Sequence, residues 1–231
     1  MFKSLKNALG LGKEKDALPS TRSPASVAAG DPNSQFGKIS QWASMQGMSA
    51  TELGKGYSME GKIDDKPWRL EQGKPSRDFI KGLELRVRGE MGLREDVAVM
   101  VMTRSLKNEL DRRAFSLYTD TLQTQIDPNL PEEMRWLAMY EEVGWESLGE
   151  VFLDQYAILA DDRENAIAWL SPELAGQLLA WPSSAAEVPL VLMVLRGKVY
   201  LRMQISEGDI PTLEHATRVF TTAADAGIAA F

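Results

Sequence analysis

Five charged residues occupy alternate positions in two stretches of the sequence, and this spacing could place their side chains on one face of a β-sheet. Arg69 and Glu71 stand at alternate positions in one stretch, and Glu84, Arg86 and Arg88 do so in another. Alternation with apolar residues is typical of a strand with one buried face. If the two strands pair, opposite charges lie across from one another and contribute roughly 0.2 to 1 kcal/mol per pair. A solvated, charge-balanced sheet face is the first interpretation.

A second interpretation of the same region is an anion-binding site. Guanidinium groups bind carboxylates and phosphates through paired, charge-assisted hydrogen bonds. Arg77, Arg86 and Arg88 are the candidate anion-binding residues. On this alternative the protein is a sensor of a small anionic ligand.

The segment GKPSRD, residues 73–78, combines glycine, lysine, serine and arginine as phosphate-binding loops do. Such a loop leads into a helix N-terminus, whereas a strand is predicted to follow here, so a plain turn is preferred. Acidic residues that are adjacent in the sequence, such as Asp64 and Asp65, lie in predicted turns or at predicted helix N-termini, where such side chains are favoured. We therefore assign them no metal-binding or catalytic role. His215 is the single histidine, and on a helix we expect it to be a structural or surface residue and not a catalyst.

Composition removes several kinds of chemistry. The chain has no cysteine, which excludes thiolate metal sites and a cysteine nucleophile. It carries no serine-hydrolase or metalloprotease motif. We therefore predict no catalytic residue, no metal and no cofactor, and rank an enzyme last.

Charge and hydropathy bear on partners and location. Across 231 residues, 26 Lys and Arg face 33 Asp and Glu, a net charge of -7. This charge repels a phosphate backbone, so we expect no nucleic-acid partner. No apolar run reaches the roughly 18 residues of a spanning helix, and Lys13 interrupts the N-terminal apolar run, unlike a secretory signal. We expect a cytoplasmic protein, peripheral to the inner membrane where it docks.

The first residues form a basic amphipathic segment. At helical spacing Phe2, Leu5 and Leu9 share one arc, with Lys3 and Lys6 beside it. A helix this short is marginal in water and needs a surface on which to form. An anionic membrane or a groove of a protein partner would serve. The alternative is a solvated tail.

The chain divides by composition into four parts. Residues 1–15 are the basic segment, 16–34 a flexible linker rich in Ser, Ala, Pro and Gly, 35–49 a helix, and 50–231 the main domain. We predict an α+β fold, with an antiparallel or mixed sheet and helices packed on one face, preceded by the flexible N-terminal extension. The strands are predicted as a hairpin over 57–70 and strands over 83–88, 97–104 and 151–159, with two more over 188–205. The helices of the domain are predicted over 105–117, 131–142, 161–170, 171–181 and 209–227.

Three stretches carry a resemblance to known proteins: KPWRLEQGKPSRDFIKGLELR, LPEEMRWLAMYEEVGW and VLMVLRGKVYLRMQ. They resemble a conserved protein family of Gram-negative bacteria with no assigned activity, over residues 36–225. The resemblance implies a bacterial origin and a family-defining domain, and it transfers no catalytic residue.

These observations favour a non-enzymatic adaptor or scaffold. We expect it to dock peripherally, through its N-terminal segment, on an anionic membrane surface or on a protein partner in a larger assembly. The sequence leaves the oligomeric state open.

Overall fold

The computed structural model of the chain describes residues 31–121, 132–185 and 187–231. Seven helices and nine strands lie in these ranges. The helices are α1 (Gln35–Met45), α2 (Arg104–Thr121), α3 (Glu132–Met139), α4 (Glu150–Gln155), α5 (Arg163–Trp169), α6 (Pro172–Leu179) and α7 (Ile210–Ala230). The strands are β1 (Ser49–Leu53), β2 (Gly56–Ile63), β3 (Lys66–Gly73), β4 (Leu83–Glu90), β5 (Ala98–Thr103), β6 (Glu141–Val143), β7 (Tyr156–Ala160), β8 (Leu190–Leu195) and β9 (Lys198–Ile205).

All nine strands form a single sheet in the order β1-β2-β3-β4-β9-β8-β5-β7-β6. Every pairing between the described strands is antiparallel. The predicted α+β fold class with an antiparallel sheet is confirmed. The sheet order brings β9 against β4, which joins the first hairpins to the strands that follow much later in the chain.

Five helices lie on the first face of the sheet. Side chains of α1, α4, α5, α6 and α7 share one core with the inward residues of the strands, including Ile39, Phe152, Trp169, Leu174 and Phe220. Local sequence signals start these helices. Ser34 accepts from the backbone of Gly37 at α1, and Ser171 precedes Pro172 at α6.

The described helices cover only one half of the second face. Leu106 and Leu110 of α2 and Trp136 of α3 pack on Met100 of β5 and Leu159 of β7. Both faces of β5 are therefore buried along its whole length, as expected of a central strand. The structure thus adds two helices on the second face to the predicted arrangement.

The tight turns follow from residues that tolerate a positive φ. Asp64 and Asp65, between β2 and β3, have φ of 46° and 63°, and Arg196 and Gly197, between β8 and β9, have 50° and 73°. Two successive residues with positive φ are typical of the two-residue turn that matches strand twist. Both predicted hairpins form at these turns.

One strand prediction is wrong in part. Residues 151–159 were expected to be extended, but α4 occupies Glu150–Gln155 and only Tyr156–Ala160 form β7. In the helix Phe152 lies one turn from Tyr156, and their rings are 5.0 Å apart in the core. The helix predicted over 131–142 also ends early, since β6 begins at Glu141. Short β1 has no counterpart among the predicted elements.

Candidate binding face

The second face of β2, β3, β4 and β9 carries the charged residues singled out from the sequence. Among the described elements no helix packs on it, and we call this surface the open face. Its outward residues include Glu60, Arg69, Arg88 and Arg202, and it borders a groove of about 1020 Å³. The strands position these side chains because alternate residues of each strand point into the core on the other side.

The strand register sets like charges against each other at two places. Arg69 lies directly opposite Arg88, and Arg86 lies directly opposite Arg202. The predicted pairing of opposite charges is correct for Glu71 and Arg86 but wrong for Arg69. The prediction failed there because register cannot be read from alternation alone. Like charges directly opposite one another destabilise a sheet.

Carboxylates on the same face partly offset this repulsion. Glu71 forms an ion pair with Arg69 at 2.7 Å and accepts a hydrogen bond from Arg86 at 3.3 Å, so one carboxylate bridges two arginines. Arg88 pairs with Glu90. A hydrogen bond from Lys198, and then one from Arg88, hold the pKa of Glu90 below its usual value.

The groove nevertheless keeps a positive excess. Its lining contains five basic and three acidic residues, a net charge of +2, whereas the whole chain carries -7. The basic residues are Lys62, Arg69, Arg86, Arg88 and Arg202, and the acidic ones are Glu60, Glu71 and Glu90. Among the described residues, the open face therefore offers a locally positive surface suited to an anionic group.

A buried ion network forms one border of the open face. The side chains of Glu84 and Glu133 are both 0% exposed. Arg202 lies 3.2 Å from Glu84 and 3.8 Å from Glu133, and Arg77 binds Glu133 at 2.9 Å. Burial, followed by the charge of Arg77, lowers the pKa of Arg202. The network fastens α3 and the loop after β3 to the sheet.

The three arginines of the predicted anion site therefore lie in different settings. Arg77 is committed to buried Glu133. Arg86 reaches toward Glu84 at 3.9 Å and lies in the groove lining. Arg88 lies 6.0 Å from the ring centroid of Tyr200, with over half its side chain exposed.

The GKPSRD segment begins at the last residue of β3 and continues as a loop that binds the Glu84 carboxylate. The backbone N–H of Ser76 donates to Glu84 at 2.5 Å, and its hydroxyl donates at 3.4 Å. No helix follows the loop, and β4 begins at Leu83. This part of the structure is therefore the turn predicted from the sequence and not a phosphate-binding loop.

Sequence reasoning missed Arg202, Tyr200 and Glu133 as members of this surface and its border. The signal was present in part, because Lys198, Tyr200 and Arg202 alternate with apolar residues along β9. What the sequence does not give is that β9 pairs with β4.

His215 is a structural residue, one of the two roles expected for it. It is buried on α7, where Nε2 lies 2.9 Å from the carbonyl oxygen of Gln177 and the ring meets Trp181 edge-on. Burial lowers the pKa of His215. The neutral ring donates from Nε2 to that carbonyl.

The remaining predictions concern other regions or metal binding. The docking residues Phe2, Lys3, Leu5, Lys6 and Leu9 lie outside the described residues. Within the described ranges, no group of three His, Asp or Glu side chains is placed to hold a metal ion. Nor does any helix in those ranges have the length and apolarity needed to cross a membrane.

Comparisons with known proteins add little to this geometry. No family model matches the chain, and no curated protein matches it. Among solved structures the chain is similar to the crystal structure of the mycobacterial trehalose monomycolate transport factor A, TtfA, at 8% identity and a TM-score of 0.47. The match covers 83% of this chain and 93% of that one. At this TM-score the likeness supports no conclusion about this chain, and the resemblance to a Gram-negative family stays a prediction.

Proposed function

We propose that this protein is a non-enzymatic adaptor with two contact surfaces, the N-terminal segment and the open face. The observation that carries the proposal is the half of the second sheet face that no described helix covers, with its net positive groove. A domain that keeps a wide polar surface next to a well-packed core suits recognition of a partner.

The N-terminal segment supplies the second attachment in this proposal. Residues 1–15 carry four lysines and one glutamate, a net charge of +3. On an anionic membrane each lysine contributes about 1 kcal/mol, with Phe2, Leu5 and Leu9 entering the interface. The linker would let this segment range about 25 Å from the domain. Binding of this kind is weak and reversible, which suits peripheral recruitment.

Co-sedimentation with vesicles of mixed neutral and anionic lipid tests the docking role. The full chain should pellet, and a variant with Phe2→Ser, Leu5→Ser and Leu9→Ser should stay in the supernatant. A matched control places Leu18→Ser and Val27→Ser in the linker and should pellet like the unmodified chain. Equal pelleting of the unmodified chain and the triple variant would overturn docking through this segment.

A small anionic-ligand sensor is the second candidate. It is favoured by the pair of Arg69 and Arg88, which shares no carboxylate among the described residues, since an anion placed between these arginines would relieve their repulsion. A melting-temperature screen against anionic metabolites tests it. A stabilising ligand should lose its effect with Arg86→Gln and Arg88→Gln, and a screen without a hit would count against the sensor.

A further inference from the structure

We propose that the open face binds an extended, acidic segment of a partner protein, with acidic residues at alternate positions. The inference rests on the adaptor function proposed above and names the partner class for its second surface. It follows from the register of the arginines, from their spacing along β4 and from the neighbouring aromatic residue.

The register leaves one arginine pair without a shared carboxylate. Arg86 and Arg202 both lie near Glu84, at 3.9 Å and 3.2 Å. Arg69 binds Glu60 and Glu71, while Arg88 binds Glu90. Among the described residues, no ion pair joins Arg69 and Arg88 through one carboxylate. A partner carboxylate placed between them would complete the pattern already present at Glu71, which bridges Arg69 and Arg86.

The spacing of the arginines matches an extended chain. Arg86 and Arg88 are two residues apart on β4, so they lie about 6.6 to 6.8 Å apart along the strand. Side chains on one face of an extended peptide repeat at the same distance. A segment laid along β4 with acids at positions i and i+2 presents one carboxylate to each arginine.

An aromatic and an apolar residue continue the row beyond Arg88. Tyr200 lies opposite Arg88, and Met193 lies opposite Tyr200 on the next strand. Both line the groove, where Met193 is largely buried and Tyr200 is partly exposed. Aromatic residues are enriched in protein interfaces, where they contribute contact area next to charged anchors. This part of the row suits an apolar side chain of the partner beside its acidic residues.

Discrete charges favour a peptide over a membrane or a small anion. Glu60, Glu71 and Glu90 are interspersed among the arginines and would repel a uniformly anionic bilayer. From β2 to β9 the surface spans three strand intervals, about 14 Å. That width exceeds what a single small anion needs and fits one extended segment with its side chains.

Calorimetric titration of the full chain with designed peptides tests the proposal. The probe is a blocked Ser-Glu-Thr-Glu-Thr-Glu-Ser peptide, and its matched control, Ser-Glu-Glu-Thr-Thr-Glu-Ser, has the same composition but no two acids separated by two positions. At low salt the alternating peptide should bind at least about fivefold more tightly, because only its acids repeat on one face of an extended chain at the spacing of the arginines. Arg69→Gln with Arg88→Gln should reduce its affinity about tenfold or more. Arg112→Gln, in an exposed pair with Glu109 on α2, should leave the affinity unchanged.

Melting temperatures establish that the variants are folded before titration. Equal affinity for the two peptides would overturn the proposal, as would unchanged binding to the double arginine variant. The proposal would also fail if citrate, or anionic vesicles added to the variant with Phe2→Ser, Leu5→Ser and Leu9→Ser, engaged Arg69 and Arg88 while the peptides did not. Vesicle binding by the full chain without peptide binding overturns this inference alone. Peptide binding without vesicle binding overturns only the N-terminal docking role.

Discussion

The two halves of the sheet differ in what lies on their second face. Around β5, β7 and β8 both faces are covered, and the second face holds a core of its own with Met100, Met102 and Trp136. Around β2, β3, β4 and β9 the first face is equally well buried, but the second carries the open face. One continuous sheet thus has a half built for stability beside a half that keeps two like-charge arginine pairs.

This difference distinguishes residues that stabilise the fold, in the covered half, from residues available to contact a partner, in the open half. In the covered half, alternate positions on both faces are apolar, and removing atoms leaves cavities. In the open half, alternate positions are charged and exposed, and local repulsion is tolerated. Departures from the usual pairing rules are expected at functional sites. The predictions below compare the two halves directly.

Truncation in the covered half should have the largest effect on stability. Met100 is fully buried in the core beneath α2. Met100→Ala should lower the free energy of unfolding by about 3 to 4 kcal/mol, through lost burial and a residual cavity. Urea denaturation followed by tryptophan fluorescence measures it. A loss below about 1 kcal/mol would show that the second-face core is loosely packed and would remove the contrast.

Removal of Arg77 should have the second-largest effect on stability, because it takes an ionic partner from a buried carboxylate at the border between the halves. Arg77→Ala leaves Glu133 with Arg202 at 3.8 Å as its remaining ionic partner. We expect a loss of about 3 kcal/mol, the lower end of the range for breaking a buried pair. Arg113→Ala is the matched control, since it removes only solvent-accessible pairs, with Asp78 on the same loop and with Glu109 on α2, and should cost about 1 kcal/mol or less. Equal losses in the two variants would contradict the border role.

A smaller effect should appear on acidification and should come from the shared core. The pKa of His215 is lowered in the folded chain, so the unfolded chain binds the proton more readily. Stability is then complete above about pH 6.5 and falls as the pH drops below that value. Melting temperatures from pH 7.5 to 5.5 should decline, and His215→Gln should flatten the decline. Arginine and glutamate ordinarily titrate outside this range, so Arg69→Gln should leave the pH profile unaltered.

Substitution on the open face should have the smallest effect on stability. Arg69→Gln removes exposed ion pairs with Glu60 and Glu71 and also removes the repulsion from Arg88. These terms oppose one another, and we expect the free energy of unfolding to change by less than about 0.5 kcal/mol. Guanidinium chloride is avoided as denaturant because its salt screens these pairs, and urea is used instead. A loss above about 2 kcal/mol would make Arg69 a structural residue.

Much of the fold could be predicted because local signals are strong. The alternation in 57–70 and 83–88, the two hairpin turns, and the caps at Ser171 and Asp209 each encode their element within a few residues. The failure at 151–159 has a physical reason. Its apolar residues fit a strand or a helix, and burial of Phe152 beside Tyr156 decides for the helix.

The candidate site was less accessible to sequence reasoning. Alternation placed Arg69, Arg86 and Arg88 on one polar face, but their pairing depends on register and on the long-range contact of β4 with β9. Arg77 was grouped with them by proximity in the chain, whereas its partner is Glu133, which lies 56 positions further on. Long-range partners of this kind follow from topology, which no short window of sequence contains.

The most direct test of the central claim, that the open half is a recognition surface, is an NMR titration of the arginine side chains. Spectra of the arginine Nε–H groups in the full chain would be recorded as the alternating glutamate peptide is added. We predict that the resonances of Arg69 and Arg88 move in a saturable manner while those of Arg94 and Arg112, in exposed pairs elsewhere, stay in place. Shifts confined to Arg94 and Arg112, or equal shifts in all four, would contradict the account.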